Sequence, residues 1–292
     1  MMKVKGIDVS YAQGAIDWAL VKKSGIQFAM LRAGYGKEIS QKDARFESNY
    51  TGCKQNDIPV GVYWYSYATS VEEARQEAAV CLKVLQGKRF EYPIFYDIEE
   101  NRTFNKGVAV VSAIAEAFCL ELERAGYYVG IYASKSQLMS YFSEAVRKRF
   151  CVWCAQYNSE CTYSGAYDMW QYSSKGAVNG IKTNVDMNEC YVDYERIIKE
   201  KKFNGYGSSV SDVTVNVNDI TVKTKKLIQG DTGSTVKVMQ TILILKGYSC
   251  GSAGADGKFG TGTASALERF QKDNKLTADK ICGADSWTAL LR

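Results

Sequence analysis

The chain predicts an α/β domain over residues 1–203, its strands closing into a parallel but irregular TIM-like (β/α) barrel, and then a small all-α three-helix domain. Three observations carry this. Eight short β-rich runs alternate with amphipathic helical stretches through the first segment. The first run ends in Asp8-Val9-Ser10-Tyr11, unlike the glycine loop that an open doubly wound sheet places after its first strand. Past residue 203 the composition turns to Gly, Ser, Asn, Thr and Val without helical period, and a compact helical pattern follows.

In chain order, strands are expected at 4–10, 28–34, 60–67, 93–99, 128–133, 151–156, 169–173 and 184–187. The clearest helical patterns lie at 71–86 and 108–125. The second sets Val108, Val111, Ile114, Ala115, Phe118 and Leu122 on one face, the stripe of a core-facing helix. Residues 204–226 read as a linker. Residues 227–292 hold helical patterns at 235–247, with Val236, Met239, Gln240 and Leu243 near one face, and at 263–274, after an Asp256-Gly257-Lys258-Phe259-Gly260 turn. No internal repeat is evident.

Composition narrows the chemistry. The chain has no histidine, which removes Ser-His-Asp and Cys-His nucleophile systems and zinc sites built on histidine. Carboxylates with shifted pKa values are then the leading acid–base candidates, and no metal or cofactor is called for. The net charge of +5 favours an anionic polymer but is far from the basic stripe of a nucleic-acid binder. No apolar run approaches the roughly 18 residues that span a membrane, so no stable membrane insertion is expected. The start, Met-Met-Lys-Val-Lys-Gly, lacks a signal-peptide apolar region. Of nine cysteines, Cys151 and Cys154 form a Cys-x-x-Cys within a buried-strand pattern and read as core, while Cys250 and Cys282 are open to pairing.

Four acidic residues fall near predicted strand ends: Asp8 in the first, Asp97 and Glu99 in the fourth, Asp186 in the last. In a βα barrel, catalytic side chains project from such places. Residues i and i+2 of a strand share a face, so Asp97 and Glu99 would repel and one pKa would rise. That division suits glycoside hydrolysis, with Glu99 as proton donor and Asp97 stabilising developing positive charge. An Asp-x-Glu alone arises often by chance. Aromatics at Tyr63, Tyr65, Tyr132 and Trp170 suit a rim on which sugar rings stack, although alternate members of such strands are core.

Residues 4–200 resemble the family 25 glycoside hydrolases. The resemblance rests on Gly6-Ile7-Asp8-Val9-Ser10, Leu31-Arg32-Ala33-Gly34-Tyr35-Gly36, Gly61-Val62-Tyr63, Tyr96-Asp97-Ile98-Glu99, Gly130-Ile131-Tyr132, Trp170-Gln171-Tyr172 and Val185-Asp186-Met187-Asn188. It implies an irregular βα barrel and an N-acetylmuramidase that cleaves the β-1,4 bond of peptidoglycan with retention. Glu99 would be the general acid. Asp97 would be a nucleophile or would orient the substrate's acetamido group, and Asp8 and Asp186 would line the floor. Arg32, Tyr63, Tyr65, Tyr132 and Trp170 would contact substrate. Many relatives have a histidine where this chain has Trp64. The tail is similar to a peptidoglycan-binding module on Gly230-Asp231-Thr232-Gly233, Gly247-Tyr248, the Asp256 turn, Phe270-Gln271, Cys282-Gly283 and Trp287. These resemblances imply peptidoglycan as substrate and wall ligand. The missing leader suits a phage or prophage endolysin, made in the host cytoplasm and released to the wall with a holin-type partner.

Overall fold

The computed structural model describes residues 3–206, 213–217 and 220–292, and the chain divides into two compact units, 1–207 and 208–292. In the first unit, β1 (Val4–Val9), β2 (Phe28–Tyr35), β3 (Val60–Tyr65), β4 (Ile94–Asp97), β5 (Val129–Ser134), β6 (Cys151–Ala155), β7 (Met169–Gly176) and β8 (Val185–Cys190) close in sequence order into one barrel. Around it run α1 (Trp18–Lys23), α2 (Phe46–Gln55), α3 (Val71–Leu85), α4 (Asn101–Phe104), α5 (Val108–Arg124), α6 (Lys135–Tyr141), α7 (Glu144–Arg149) and α8 (Tyr194–Glu200). Local chemistry sets the helix ends. Ser70 caps α3 by accepting from the Glu73 amide, with Glu72 and Glu73 in its first turn and Lys83 in its last, all favourable to the helix dipole.

One expectation is corrected. The barrel is not wholly parallel: β8 runs antiparallel to both β7 and β1. No helix separates β7 from β8, and without a crossover the chain can only return antiparallel.

Strand alternation sorts side chains into two shells. The outer shell packs Ile7, Val9, Leu31, Val62, Trp64 and Ile131 against the helices, with Val111, Ile114, Phe118 and Leu122 of α5 facing in. The inner shell stacks Phe28, Met30, Phe95, Trp153, Met169 and Tyr132 inside the barrel. Glycines make room for this filling. A Cβ on Gly6 would sit 2.3 Å from the Phe28 ring, and one on Gly130 2.4 Å from Cys151 Sγ.

The segment 204–226 is less of a linker than its composition suggests. Asn204 is fully buried, accepts from Tyr128 N (2.7 Å) and donates to Tyr92 O (2.8 Å), which fastens it to the barrel. Further on, β9 (Val213–Val217) and β10 (Ile220–Thr224) pair as an antiparallel hairpin, which the β-branched residues favour. The hairpin precedes the helical domain expected over 227–292, whose own elements are helices. The remainder of that expected linker, 207–212 and 218–219, lies outside the described residues.

The second unit continues with α9 (Ser234–Leu245), α10 (Thr261–Asp273) and α11 (Ala284–Leu291) around Val236, Met239, Leu243, Phe259, Phe270 and Trp287. It also contains a repeat not evident in the sequence. Gln240 Nε2 donates to Asp256 Oδ1, Lys258 O and Thr263 Oγ1, while its Oε1 accepts from Gly257 N. Gln271 Nε2 donates to Asp279 Oδ1, Ile281 O and Ser286 Oγ, while its Oε1 accepts from Lys280 N. The residue after each aspartate is left-handed, Gly257 at φ 78° and Lys280 at φ 62°. Only a few positions match in type between the two copies, so the duplication escapes a search for similar letters. Cys250 and Cys282 are both free thiols.

Candidate active site

The carboxylates meet at one mouth of the barrel. Asp8 is the penultimate residue of β1, and its register partner on β8 is Asp186, so the two share a face. Asp186 is near the start of its strand, not its end, and only the reversed direction of β8 brings it to this mouth. Asp97 is the last residue of β4. Glu99 lies past the strand: the ladder ends with Ile98 N donating to Tyr132 O (3.2 Å), and the chain turns into α4, capped at Glu100. The i, i+2 strand geometry expected for this pair is replaced by a difference in depth. Asp97 is only 4% exposed, whereas Glu99 opens to solvent.

Every one of these acids is harder to ionise than an ordinary carboxylate. Asp8 is pushed up to about 8, first by burial and then by the charge of Asp186, against the lowering effect of hydrogen bonds from Asn188 and Gln171. Asp97 is raised well above its usual range by burial and by the charges of Glu99 and Asp8, with Arg32 pulling the other way. Glu99 reaches water, yet the walls strip enough of its hydration to raise it, with Asp186 and Glu100 adding repulsion and the Tyr132 hydroxyl opposing. Asp186 is raised by burial.

Asp8 is held from two sides. Its Oδ2 accepts from Gln171 Nε2 (2.9 Å) and Asn188 Nδ2 (2.8 Å), and Asn188 Oδ1 accepts from Trp153 Nε1 (2.8 Å). Gln171 Oε1 in turn accepts from the hydroxyls of Tyr132 (2.9 Å) and Tyr157 (3.1 Å). Asp97 contrasts with this, because its buried Oδ1 has no hydrogen-bond partner among the described residues. A buried orphan oxygen is costly and marks a place where a ligand donor fits.

Arg32 projects from β2, its Nε 2.8 Å from Asp43 Oδ2 and its guanidinium 4.9 Å from the Tyr11 ring centre. Asp43 is buried and also accepts from the backbone of Tyr11 and Arg45, which fixes the arginine. Arg32, Asp43 and Tyr11 line an open cleft of 420 Å³ together with Tyr35, Tyr65 and Tyr67. The Tyr65 hydroxyl donates to Glu100 Oε1 (2.9 Å). Tyr63 and Tyr132 both pack edge-on against Trp153, and Tyr63 lies within the fields of Asp8 and Asp97.

Trp170 is the exception among the expected contacts. Gln171 points at Asp8, so alternation turns Trp170 to the opposite face, where its ring lies 5.5 Å from Tyr172 and its Nε1 donates to Gln156 O. Trp64 also faces the helical shell, fully buried and bonded to Gly36 O. The sequence reading missed the roles of Gln171, Asn188, Trp153 and Tyr157. Period-2 counting forward from Asp186 on β8 reaches Asn188 on the same face and was available. Tyr157 follows β6 in a loop and carried no such signal.

A βα barrel that gathers carboxyl groups with raised pKa values at the mouth of its strands suits the class of carboxylate-dependent glycoside hydrolases. Comparison with known proteins gives the family. Residues 7–181 match the model of the glycosyl hydrolases family 25, and residues 232–290 match that of a peptidoglycan binding domain. The chain is 27% identical over 187 residues to the autolytic lysozyme of Clostridium acetobutylicum, a stretch covering 64% of this chain and 55% of that protein. The modular autolysin LytC of Streptococcus pneumoniae, solved in complex with a synthetic peptidoglycan ligand, superposes with a TM-score of 0.59 at 26% identity, over 65% of this chain and 47% of that one. A bacterial lysozyme from Streptomyces coelicolor superposes with a TM-score of 0.58 at 25% identity, over 70% of this chain and 98% of that one. The chain belongs to the glycosyl hydrolases family 25 and carries, later in the sequence, a peptidoglycan-binding domain.

Proposed function

We propose that the protein is a peptidoglycan hydrolase of the lysozyme type, an N-acetylmuramidase that cuts the β-1,4 bond between N-acetylmuramic acid and N-acetylglucosamine with retention. The observation that carries this is the pairing of an orphaned, buried Asp97 Oδ1 with a solvent-reaching Glu99 of raised pKa. Glu99 holds its proton above the usual carboxylate range and delivers it to the leaving oxygen. Asp97 accepts the N–H of the sugar's acetamido group and aims the acetamido oxygen at the anomeric carbon, where it bonds as the glycosidic bond breaks and gives a cyclic intermediate. Water then opens that intermediate with Glu99 as base, a double displacement that retains configuration. Asp8 and Asp186 form the floor, and Arg32, Tyr63, Tyr65 and Tyr132 line the walls. The second unit holds the enzyme on the insoluble wall and so raises the local concentration of substrate.

The test is reducing-sugar release from purified peptidoglycan, with mass spectrometry of the fragments. Fragments ending in reducing muramic acid, lost in Glu99→Gln, bear out the enzyme and its acid. Binding without bond cleavage overturns it and leaves a glycan-binding protein. The endolysin part, with a holin-type partner opening the membrane, is tested by expression in bacteria with and without a holin. Lysis that needs no holin overturns it. Independent folding of the two units predicts that limited proteolysis between residues 206 and 213 releases both intact.

A further inference from the structure

We propose that Cys154 and Cys161 are a redox site, joined by a reversible disulfide that fastens the loop carrying Tyr157 at the rim of the carboxylate mouth. Their Sγ atoms lie 4.0 Å apart. Other thiols of the barrel turn to backbone carbonyls instead, Cys119 to Gly130, Cys151 to Val129 and Cys190 to Val192. The loop between the pair is already drawn shut. Gln156 Nε2 donates to Thr162 Oγ1 (2.9 Å), Gln156 Oε1 accepts from Thr162 N (2.8 Å), and Gln156 N donates to Gln171 O (3.0 Å). A disulfide needs its sulfurs about 2.05 Å apart. With the loop ends clamped, side-chain rotation at Cys161 supplies most of that approach.

The two thiols differ in access, which orders the chemistry. Cys154 is fully buried on β6, while Cys161 is half-buried between exposed Glu160 and Thr162. Burial and the neighbouring sulfur also hold the Cys154 thiol up, so Cys161 is the entry point. A small disulfide such as oxidised glutathione exchanges at Cys161, forming a mixed disulfide and releasing one glutathione thiol. Cys154 then attacks the Cys161 sulfur, the protein S–S bond forms, and the second glutathione leaves as a thiol. The two protein thiols give up two protons and two electrons, and the small disulfide takes up both. An oxidising compartment closes the bond and a reducing one opens it.

The consequence falls on the site. Tyr157 is 59% exposed and stands between the two cysteines, with its hydroxyl on the Gln171 oxygen of the amide that holds Asp8. Closing the ring removes freedom from a solvent-exposed loop at the rim of the mouth.

The test uses the full chain, incubated with oxidised glutathione and then with dithiothreitol. A glutamate-specific protease cuts after Glu160, between the two cysteines. The expected result is fragments that stay joined until reduced and a protein lighter by two hydrogen masses, both abolished in Cys161→Ser and in Cys154→Ala. Oxidation should raise the barrel's Tm by about 5 °C. A linkage through Cys151, or a glutathione adduct that persists at Cys161 without ring closure, overturns the proposal. The mass readout is independent of hydrolysis, so failure of the muramidase assignment would leave it standing. The functional part rests on that assignment: oxidised enzyme should show a KM on glycan about twofold lower than reduced enzyme, with kcat little changed. An unchanged KM would overturn it.

Discussion

The two units bury polar side chains to opposite ends. In the second unit, Gln240 and Gln271 are each 1% exposed, and both the amide nitrogen and oxygen of each are bonded. In the barrel, Asp97 is nearly as deep and leaves an oxygen without a partner, among three other acids that resist ionising. A satisfied buried network fixes a fold. An unsatisfied one costs stability and is kept where a substrate completes it. Neighbouring Asp8 shows both habits at once: two amide donors fix its position, while burial keeps it difficult to charge.

The sharpest way to break the comparison is at Glu99. Glu99→Gln should lower glycan cleavage by about 10²–10⁴-fold while Tm stays put, because the side chain is solvent-reaching and carries function rather than fold. A parallel loss of Tm would erase the distinction. Next in size, Gln271→Ala should cost the second unit about 2–3 kcal/mol, since a buried amide's donors and acceptors lose their partner together. Chemical denaturation should register that loss in this unit, with cleavage of short soluble glycans unchanged.

The third effect is on pH. The folded pKa of Asp8 is raised from 3.8 to about 8, so the folded state holds that proton more tightly than the unfolded chain does. Its contribution to stability is therefore complete below about pH 4 and is lost as pH rises through about 8. Asp8→Asn should remove that slope, so that the variant gains on wild type in denaturation series between pH 5 and about 8. A wild type that becomes steadily more stable over this window would contradict it. By the same logic, the alkaline limb of activity should lie above the ordinary carboxylate range, because Glu99 must remain protonated.

The smallest effect separates inner from outer faces. Trp170→Phe loses one hydrogen bond, to Gln156 O, and should cost about 1 kcal/mol of stability with little change in KM. A KM increase of tenfold would place Trp170 in the groove after all.

The expectations drawn from residues alone held where periodicity is local. The positions of all eight barrel strands and of the helices at Val71–Leu85 and Val108–Arg124 were legible, because an apolar stripe reports the face that must be buried. The tail shows the limit. Asp256-Gly257 reads as a turn, but Asp279-Lys280 does not, since lysine seldom adopts a positive φ, and the equivalence of the two appears only when Gln240 and Gln271 are seen to make the same bonds.

The sequence by itself determined the chemistry on offer: no histidine, acids near the expected strand ends, and an alternation that closes into a barrel. Only the tertiary structure decided which acid is deep and which is open, that β8 reverses so as to bring Asp186 beside Asp8, and that Gln171 rather than Trp170 faces them. The physical reason is range. Propensity and periodicity act over a few neighbouring residues, whereas burial, charge repulsion and strand direction depend on chain segments far apart in sequence. Asp8 and Asn188 are 180 residues apart along the chain and 2.8 Å apart in the fold.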